Sequence, residues 1–347
     1  MKRSLRALAL LFTATNMSSH AGIAALQNAE VPEYTAAKQV SGTIHICGSP
    51  QMGDLLKLYE QGFVMVQSAV HFENDLKSTL TAVSGVYTGR ADIGLLGREI
   101  WPAEVQAFEA IENHAPTVID IATGSFDVPK ATFALMIFVP KSNPIASLST
   151  GQLVRIFTAN NATSSNGPIR TWGDLGLKGE WANRPVHLYG FNVDNDKSLI
   201  FSRLIFRKGE RWNPALNEFA NTAGPNGADA GELIVQAVAN DPGAIGISNV
   251  HYATPNVKAL ALSTSRQKVP IAPTRENVAN RNYPLTRAVY MVVDNDDAHP
   301  HSEAVIEFLR YVLSRQGQQA VMQEGNYLPL PAEIAIRHLR QLPKQSK

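Results

Sequence analysis

The 347-residue sequence has one cysteine, few aromatic residues and almost no net charge. Because Cys47 is the single thiol, an intramolecular disulfide bond is impossible, and its place at the end of "GTIHIC" suits a small buried apolar residue. The 31 Lys and Arg residues balance 30 Asp and Glu residues, so no charge pattern indicates binding to nucleic acid or to an anionic membrane. Beyond residue 25, no apolar run is long enough to span a bilayer.

The N-terminal segment "MKRSLRALALLFTATNMSSHAGIAA" has the layout of a secretory signal peptide. Three basic residues precede a short apolar run (7–14), and small residues follow, with candidate cleavage after Ala21 or Ala25. We predict that residues 1–25 are removed on export to the periplasm; a short buried helix is the alternative. Cys47 lies too far from this segment to be a lipid-modified cysteine, so a lipoprotein is not expected. Residues 26–347 keep 28 of the 31 basic residues and all 30 acidic ones, a net charge of −2.

Strand and helix patterns alternate along the first part of the chain. The predicted strands are "SGTIHICG" (41–48), "VMVQSAV" (64–70) and "ADIGLL" (91–96), with a helix from Ser49-Pro50 onward and another over 75–88. Such alternation predicts a parallel sheet with right-handed crossovers. Ligands of these sheets lie beyond the carboxyl ends of the strands. Gly48-Ser49 and Gly97-Arg98 are therefore expected to face one crevice.

The rest of the chain repeats this alternation and predicts an α/β fold of two lobes. Each lobe is expected to be a mainly parallel sheet flanked by helices, with a ligand cleft between the lobes. Lobe 1 is predicted to comprise 38–132 and 259–347, and lobe 2 (133–258) is inserted into it. Residues 263–284 have no regular pattern and are expected to be irregular.

Six phrases occur in an order and at a spacing that is typical of one family. They are "GRADIGLLGREI" (89–100), "NPIASLSTGQLVRIFTAN" (143–160), "IRTWGDLG" (169–176), "DPGAIGISNVHYA" (241–253), "YPLTRAVYMVVD" (283–294) and "FLRYVLSRQGQQAVMQEGNYLPLP" (308–331). In these phrases the chain resembles the phosphate-binding proteins, the periplasmic receptors of phosphate ABC importers. The resemblance implies the type II periplasmic-binding-protein fold and a monomeric, non-enzymatic receptor for phosphate or a related small oxyanion. It also implies an ABC importer in the membrane as partner, and no cofactor.

The resemblance further implies an oxyanion site built from helix N-termini, hydroxyl groups, one arginine and one acceptor carboxylate. Helix N-termini and an arginine fork both favour an anion. In the first lobe, the positions that match are Ser49, Gln51 and Met52 at the first helix, Thr79 and Thr81 at the second helix, and Gly97 with Arg98 after the third strand.

The inserted lobe departs from the family pattern, which is an arginine followed by Asp-Gly-Ser-Gly-Thr. Here "GFNVDNDKSLIF" (190–201) has Phe191 or Asn192 near the arginine position, and it has Asn195, Asp196 and Lys197 in place of Ser-Gly-Thr. Asp194 and Asp196 are suited to cap the helix start, but their carboxylates repel an incoming anion. Two negative charges about 5 Å apart repel by roughly 3 kcal/mol at an effective dielectric constant near 20. Such a helix start disfavours an anion unless Lys197 and Arg98 compensate.

Two questions stay open at this point. Arg98 either supplies the missing positive charge or pairs with Glu99 or Glu104. The ligand is either phosphate or another small molecule bound by the same fold, and a ligand-free extracytoplasmic partner protein is a further alternative.

Motifs for catalysis and metal binding are weak. The sequence has no G-x-S-x-G phrase, so a hydrolase is not indicated, and a phosphatase-like enzyme is only a distant alternative. The "HPH" phrase (299–301) lacks a third ligand at metal-site spacing, and "DNDD" (294–297) lacks the Gly and Glu of a calcium loop. The sequence therefore predicts no catalytic residue and no metal site.

Overall fold

The computed structural model describes residues 30–159, 167–223, 227–294 and 302–343. The predicted signal peptide (1–25) and the "HPH" phrase (299–301) lie outside these residues. The chain divides into two compact units. Unit 1 combines the chain up to Thr123 with the chain from Ala288 onward, and unit 2 is Gly124–Arg287.

The strands and helices are numbered here in chain order. The strands are β1 (Ser41–Gly48), β2 (Ala69–Asp75), β3 (Ile93–Leu96), β4 (Thr117–Thr123), β5 (Met136–Pro140), β6 (Ser147–Ser149), β7 (His187–Phe191), β8 (Leu216–Phe219), β9 (Ala244–Ser248), β10 (Val257–Ala259), β11 (Ala261–Ser263) and β12 (Ala288–Val293). The helices are α1 (Gly53–Val64), α2 (Thr81–Tyr87), α3 (Pro102–Glu112), α4 (Thr150–Phe157), α5 (Asp196–Ile205), α6 (Ala230–Asn240), α7 (Arg275–Ala279), α8 (Glu303–Val312), α9 (Arg315–Glu324) and α10 (Ala332–Gln341). Among the described helices, none has both the length and the apolar character needed to cross a bilayer.

Unit 1 is built on a five-stranded sheet in the order β2-β1-β3-β12-β4. Strand β1 pairs in parallel with β2 and β3, whereas β12 is antiparallel to β3 and β4. The predicted strand at 64–70 is wrong, because α1 continues to Val64 and β2 begins only at Ala69. Met65 and Val66 made this stretch resemble a strand, but they are 87% and 41% exposed in the turn between the two elements.

Unit 2 has a five-stranded sheet in the order β10-β5-β9-β7-β8 and a small parallel pair, β6 with β11. Strand β7 is parallel to β8 and β9, while β5 is antiparallel to β9 and β10. The predicted α/β class with two sheets is confirmed. Both sheets are mixed rather than mainly parallel, because β5 and β12 run against their neighbours.

The boundaries of the units differ from the predicted lobe boundaries. They fall earlier at the first crossing (123/124 against 132/133) and later at the second (287/288 against 258/259). Backbone pairing explains the difference, since Ser125 bridges to Phe133 and β11 pairs with β6, all within unit 2. The stretch 263–284, expected to be irregular, contains the short helix α7.

Gly48 determines how β1 ends. Its φ angle is +134°, and a Cβ at this position would lie 2.3 Å from the carbonyl oxygen of Leu95 on the neighbouring strand β3. Only glycine combines this backbone conformation with so close an approach. The next residue, Ser49, is therefore placed directly beside the end of β3.

Candidate functional site

Ser49 lies at the N-terminus of the helical segment that follows β1. Its backbone N–H donates to the carbonyl oxygen of Leu95 at 2.9 Å, and a 3₁₀ turn (Pro50–Met52) leads from it into α1. The residue is fully buried, and its Oγ has no hydrogen-bond partner among the described residues. A buried hydroxyl without a hydrogen-bond partner costs about 1–3 kcal/mol of folding free energy. A ligand oxygen at this position would remove that cost.

Thr79 and Gly97 lie next to Ser49. A Cβ built on Gly97 would lie 2.7 Å from Ser49 Oγ and 3.7 Å from Thr79 Oγ1. The structure thus brings together two hydroxyl groups around a glycine at the end of β3, as the resemblance implied. Hydroxyl donors at the N-terminus of a helical segment are suited to binding an anion. We call Ser49, Thr79 and Gly97 the anion patch.

The other predicted residues near these helix starts are engaged differently. Thr81 Oγ1 donates to the carbonyl oxygen of Ser78 at 2.7 Å, so this hydroxyl caps its own turn. Met52 is buried, and its N–H donates to the carbonyl oxygen of Ser49 at 3.3 Å. Gln51 is exposed on the same 3₁₀ turn. Of the two threonines that were predicted to bind the ligand, it is Thr79 that belongs to the anion patch.

Arg98 forms a buried ion pair. Its Nη1 and Nη2 lie 2.9 Å and 2.7 Å from the two carboxylate oxygens of Glu104, and its Cζ is 3.7 Å from the ring centroid of Trp101. Nη1 also donates to the carbonyl oxygen of Glu99 at 2.9 Å. Of the two roles that the sequence left open for Arg98, the structure shows the pairing with Glu104. Its charge is neutralised there by a bidentate carboxylate.

In unit 2, asparagine side chains cap the start of α5. Asn195 Oδ1 accepts the N–H of Lys197 at 3.0 Å, and Asn192 Oδ1 accepts the N–H of Asp194 at 3.0 Å. These are the local bonds that favour asparagine at helix starts. An anion at this helix would compete with Asn195 for the N–H of Lys197.

Arg287 is a residue of this region that the sequence analysis missed. It is 3% exposed, and its Nη2 lies 3.4 Å from Asp196 Oδ2, while Lys197 Nζ lies 3.3 Å from Asp196 Oδ1. Burial raises the pKa of Asp196, but the charges and hydrogen bonds of Lys197 and Arg287 outweigh burial, so the pKa is lowered. These three side chains carry a net charge of +1, and Asp194 at the same helix start brings the sum to zero, so the two cations balance the two acidic residues. The feature of the sequence that could have identified Arg287 is its position directly before the apolar strand "AVYMVV".

Comparison with known proteins identifies the class of protein. A family model described as PBP superfamily domain matches residues 34–316, and the chain belongs to this superfamily. The phosphate-binding protein PstS of Pseudomonas aeruginosa strain PAO1 is 32% identical to it over 342 residues, which cover 99% of each chain. The protein is therefore a member of the PstS family, and the resemblance inferred from the six phrases is confirmed.

Solved structures show the same fold at lower identity. A phosphate transport receptor of the ABC type from Vibrio cholerae is 18% identical, with a TM-score of 0.52 over 82% of this chain and 99% of the receptor. PstS from Borrelia burgdorferi is 14% identical, with a TM-score of 0.54 over 84% of this chain and 99% of that protein.

Proposed function

We propose that this protein is an exported receptor that binds inorganic phosphate and delivers it to an ABC importer in the membrane. Full-length similarity to the phosphate-binding protein PstS supports the ligand and the transport role. The N-terminal sequence supports export to the periplasm through a cleaved signal peptide. The role is one of binding by a monomer, without catalysis.

The observation that carries the proposal is the fully buried hydroxyl of Ser49, which has no partner among the described residues. Together with Thr79 Oγ1, which also lies near Gly97, it offers two donors to the oxygens of one anion. We propose that Ser49, Thr79 and Gly97 contact the phosphate, and that Gln51 and Met52 form the helix start beside them. Thr81 shapes the turn that holds Thr79, and the Arg98–Glu104 pair fixes the backbone that follows Gly97.

In unit 2, we propose that the start of α5 is a second patch that attracts phosphate. Lys197 and Arg287 supply its positive charge, and Asn192 and Asn195 form its turn. Asp196 supplies a carboxylate that accepts a hydrogen bond from a P–OH group and repels an anion that has no proton. Phosphate carries such a proton near pH 7 and sulfate does not, so this carboxylate favours phosphate over sulfate.

Isothermal titration of the mature protein with phosphate, and with sulfate as a second ligand, tests the proposal. We expect micromolar or tighter binding of phosphate and at least tenfold weaker binding in Ser49→Ala, since tenfold corresponds to about 1.4 kcal/mol. Ser84→Ala is the matched control, because the Ser84 hydroxyl only donates to carbonyl oxygens within its own helix region.

The possible failures are distinct. If the wild-type protein gives no heat with phosphate but binds another oxyanion, the receptor role stands and phosphate is the wrong ligand. If phosphate binds equally well to Ser49→Ala and to the wild type, the ligand is right and the anion patch is the wrong site.

A further inference from the structure

Three side chains of unit 1 that do not belong to the anion patch converge near the end of α3. They are Glu112, His114 and Asp294, and one ligand atom from each lies within 4.8 Å of the other two. The sequence analysis predicted no metal site, and His114 and Asp294 are 180 positions apart along the chain.

The local backbone explains this convergence. Helix α3 ends at Glu112, and Asn113 follows in the left-handed conformation with φ of 62°, which turns the chain so that His114 lies beside the helix end. Asp294 directly follows β12, whose last residue, Val293, pairs with Thr117. A helix end and a strand end therefore meet at one point.

The imidazole of His114 is oriented as in a metal ligand. Its Nδ1 lies 3.1 Å from the carbonyl oxygen of Ala115, which makes Nδ1 the donor and leaves the lone pair of a neutral ring on Nε2. Nε2 is the atom that faces Asp294, at 3.1 Å from Oδ1. Histidines that bind metals usually donate their second ring N–H to a carbonyl or carboxylate in this way. The ring of Phe108 packs edge-on against His114 at 5.7 Å and holds its orientation.

The contact between His114 and Asp294 has the geometry of two neighbouring ligands. Asp294 Oδ1 is buried and accepts no hydrogen bond from the described residues, although Nε2 is only 3.1 Å away. Two ligand atoms bound at about 2.1 Å to one ion lie about 3.0 Å apart in octahedral and about 3.4 Å apart in tetrahedral geometry. The observed distance of 3.1 Å between His114 Nε2 and Asp294 Oδ1 lies between these two values.

Electrostatics at this point favours a cation. Glu112 and Asp294 contribute two carboxylates beside the imidazole of His114, and the C-terminus of α3 adds the negative end of the helix dipole. One nitrogen ligand with two carboxylate oxygens, and water in the remaining positions, suits a borderline divalent ion such as Zn²⁺ better than Mg²⁺.

We propose that Glu112, His114 and Asp294 bind a divalent transition-metal ion, with Zn²⁺ as the ion of choice. The ion joins the C-terminus of α3 to the end of β12. The competing account is a simple ion pair between a protonated His114 and Asp294, which needs no metal.

The test uses the mature protein, treated with a chelator and kept in phosphate-free buffer. Zn²⁺ and, separately, Mg²⁺ are titrated while heat of binding and the unfolding temperature are measured. We expect Zn²⁺ at saturation to raise the unfolding temperature by on the order of 5 °C, and Mg²⁺ to have no effect at the same concentration. Glu112→Gln and His114→Gln should each weaken Zn²⁺ binding at least tenfold.

The matched control is His45→Gln. His45 also contacts two carboxylates, Asp92 at 3.2 Å from Nδ1 and Glu73 at 3.4 Å from Nε2, but these lie on opposite ring nitrogens and cannot share one ion with it. This variant should bind Zn²⁺ as the wild type does. If His45→Gln weakens Zn²⁺ binding as much as His114→Gln, the ion is bound adventitiously by exposed histidines and the proposal is overturned.

A measurement on the wild-type protein does not depend on the variants folding. Co²⁺ in place of Zn²⁺ should give visible absorption bands of a nitrogen–oxygen site, and Zn²⁺ should abolish them. The absence of such bands together with no heat from Zn²⁺ overturns the proposal and leaves the ion pair. Zn²⁺ binding that is unchanged in a folded Glu112→Gln variant overturns it as well.

Discussion

Replacing Gly97 with alanine tests the anion patch most directly. The new Cβ would lie 2.7 Å from Ser49 Oγ and 3.3 Å from Ser49 Cβ. Real Cβ atoms do not approach other atoms to 2.7 Å, so the buried Ser49 side chain must move. Overpacking of this kind costs about 1–3 kcal/mol of folding free energy. The methyl group also occupies space next to both hydroxyls, where the proposal places the ligand.

We therefore expect Gly97→Ala to fold with reduced stability and to bind phosphate at least a hundredfold more weakly, which is about 2.7 kcal/mol of binding free energy. Urea denaturation measures the first effect and isothermal titration of the folded variant measures the second. Gly151→Ala is the control, because its Cβ would only touch Ser149 Oγ at 3.8 Å. If folded Gly97→Ala binds phosphate as tightly as the wild type, the ligand does not lie between Ser49 and Thr79.

Two further predictions concern buried charges. Glu104→Gln leaves the Arg98 guanidinium without its countercharge, so we expect urea denaturation to show a loss of about 3 kcal/mol in the free energy of unfolding. Glu109→Gln, at an exposed position of the same helix, is the control and should lose almost none. Equal losses in the two variants would contradict the argument. Asp196 has a lowered pKa in the folded protein, so its ionised form stabilises the fold above its usual pKa of 3.8, and this contribution is lost as the pH falls through the lowered value. The unfolding free energies of wild type and Asp196→Asn should therefore converge in acid, and Asp196→Asn should bind phosphate and sulfate more equally. A constant difference in unfolding free energy across this pH range would refute the assignment of the lowered pKa.

Local patterns in the sequence predicted much of unit 1. The strand 41–48 and the helix after it are confirmed, and the apolar residues that recur at helical spacing in this helix are buried: Leu55, Leu56, Tyr59 and Phe63. This success has a local cause, because strand alternation and helical spacing depend on neighbouring residues. The wrong strand prediction at 64–70 has a local cause as well, because the sequence alone does not distinguish the apolar residues of an exposed turn from those of a buried strand.

Residue types and family phrases were sufficient to place Ser49, Thr79 and Gly97 among the candidates and to identify the family. They were not sufficient to rank Thr79 above Thr81. That distinction depends on which hydroxyl is already used by its own turn, and Thr81 donates to the carbonyl oxygen of Ser78.

By itself, the sequence determined the fold class, the family and the start of the first helix, because these depend on local patterns and on shared ancestry; the second helix, predicted over 75–88, begins only at Thr81, since β2 extends to Asp75. Only the tertiary structure decided which charges neutralise one another. The sequence left two roles open for Arg98, and the structure shows that it pairs with Glu104, whereas Arg287 contacts Asp196 from 91 residues away. His114 and Asp294 meet in the same way through a helix end and a strand end. Partners so distant along the chain become neighbours only when the sheets form, because strand pairing brings together segments that no local pattern relates.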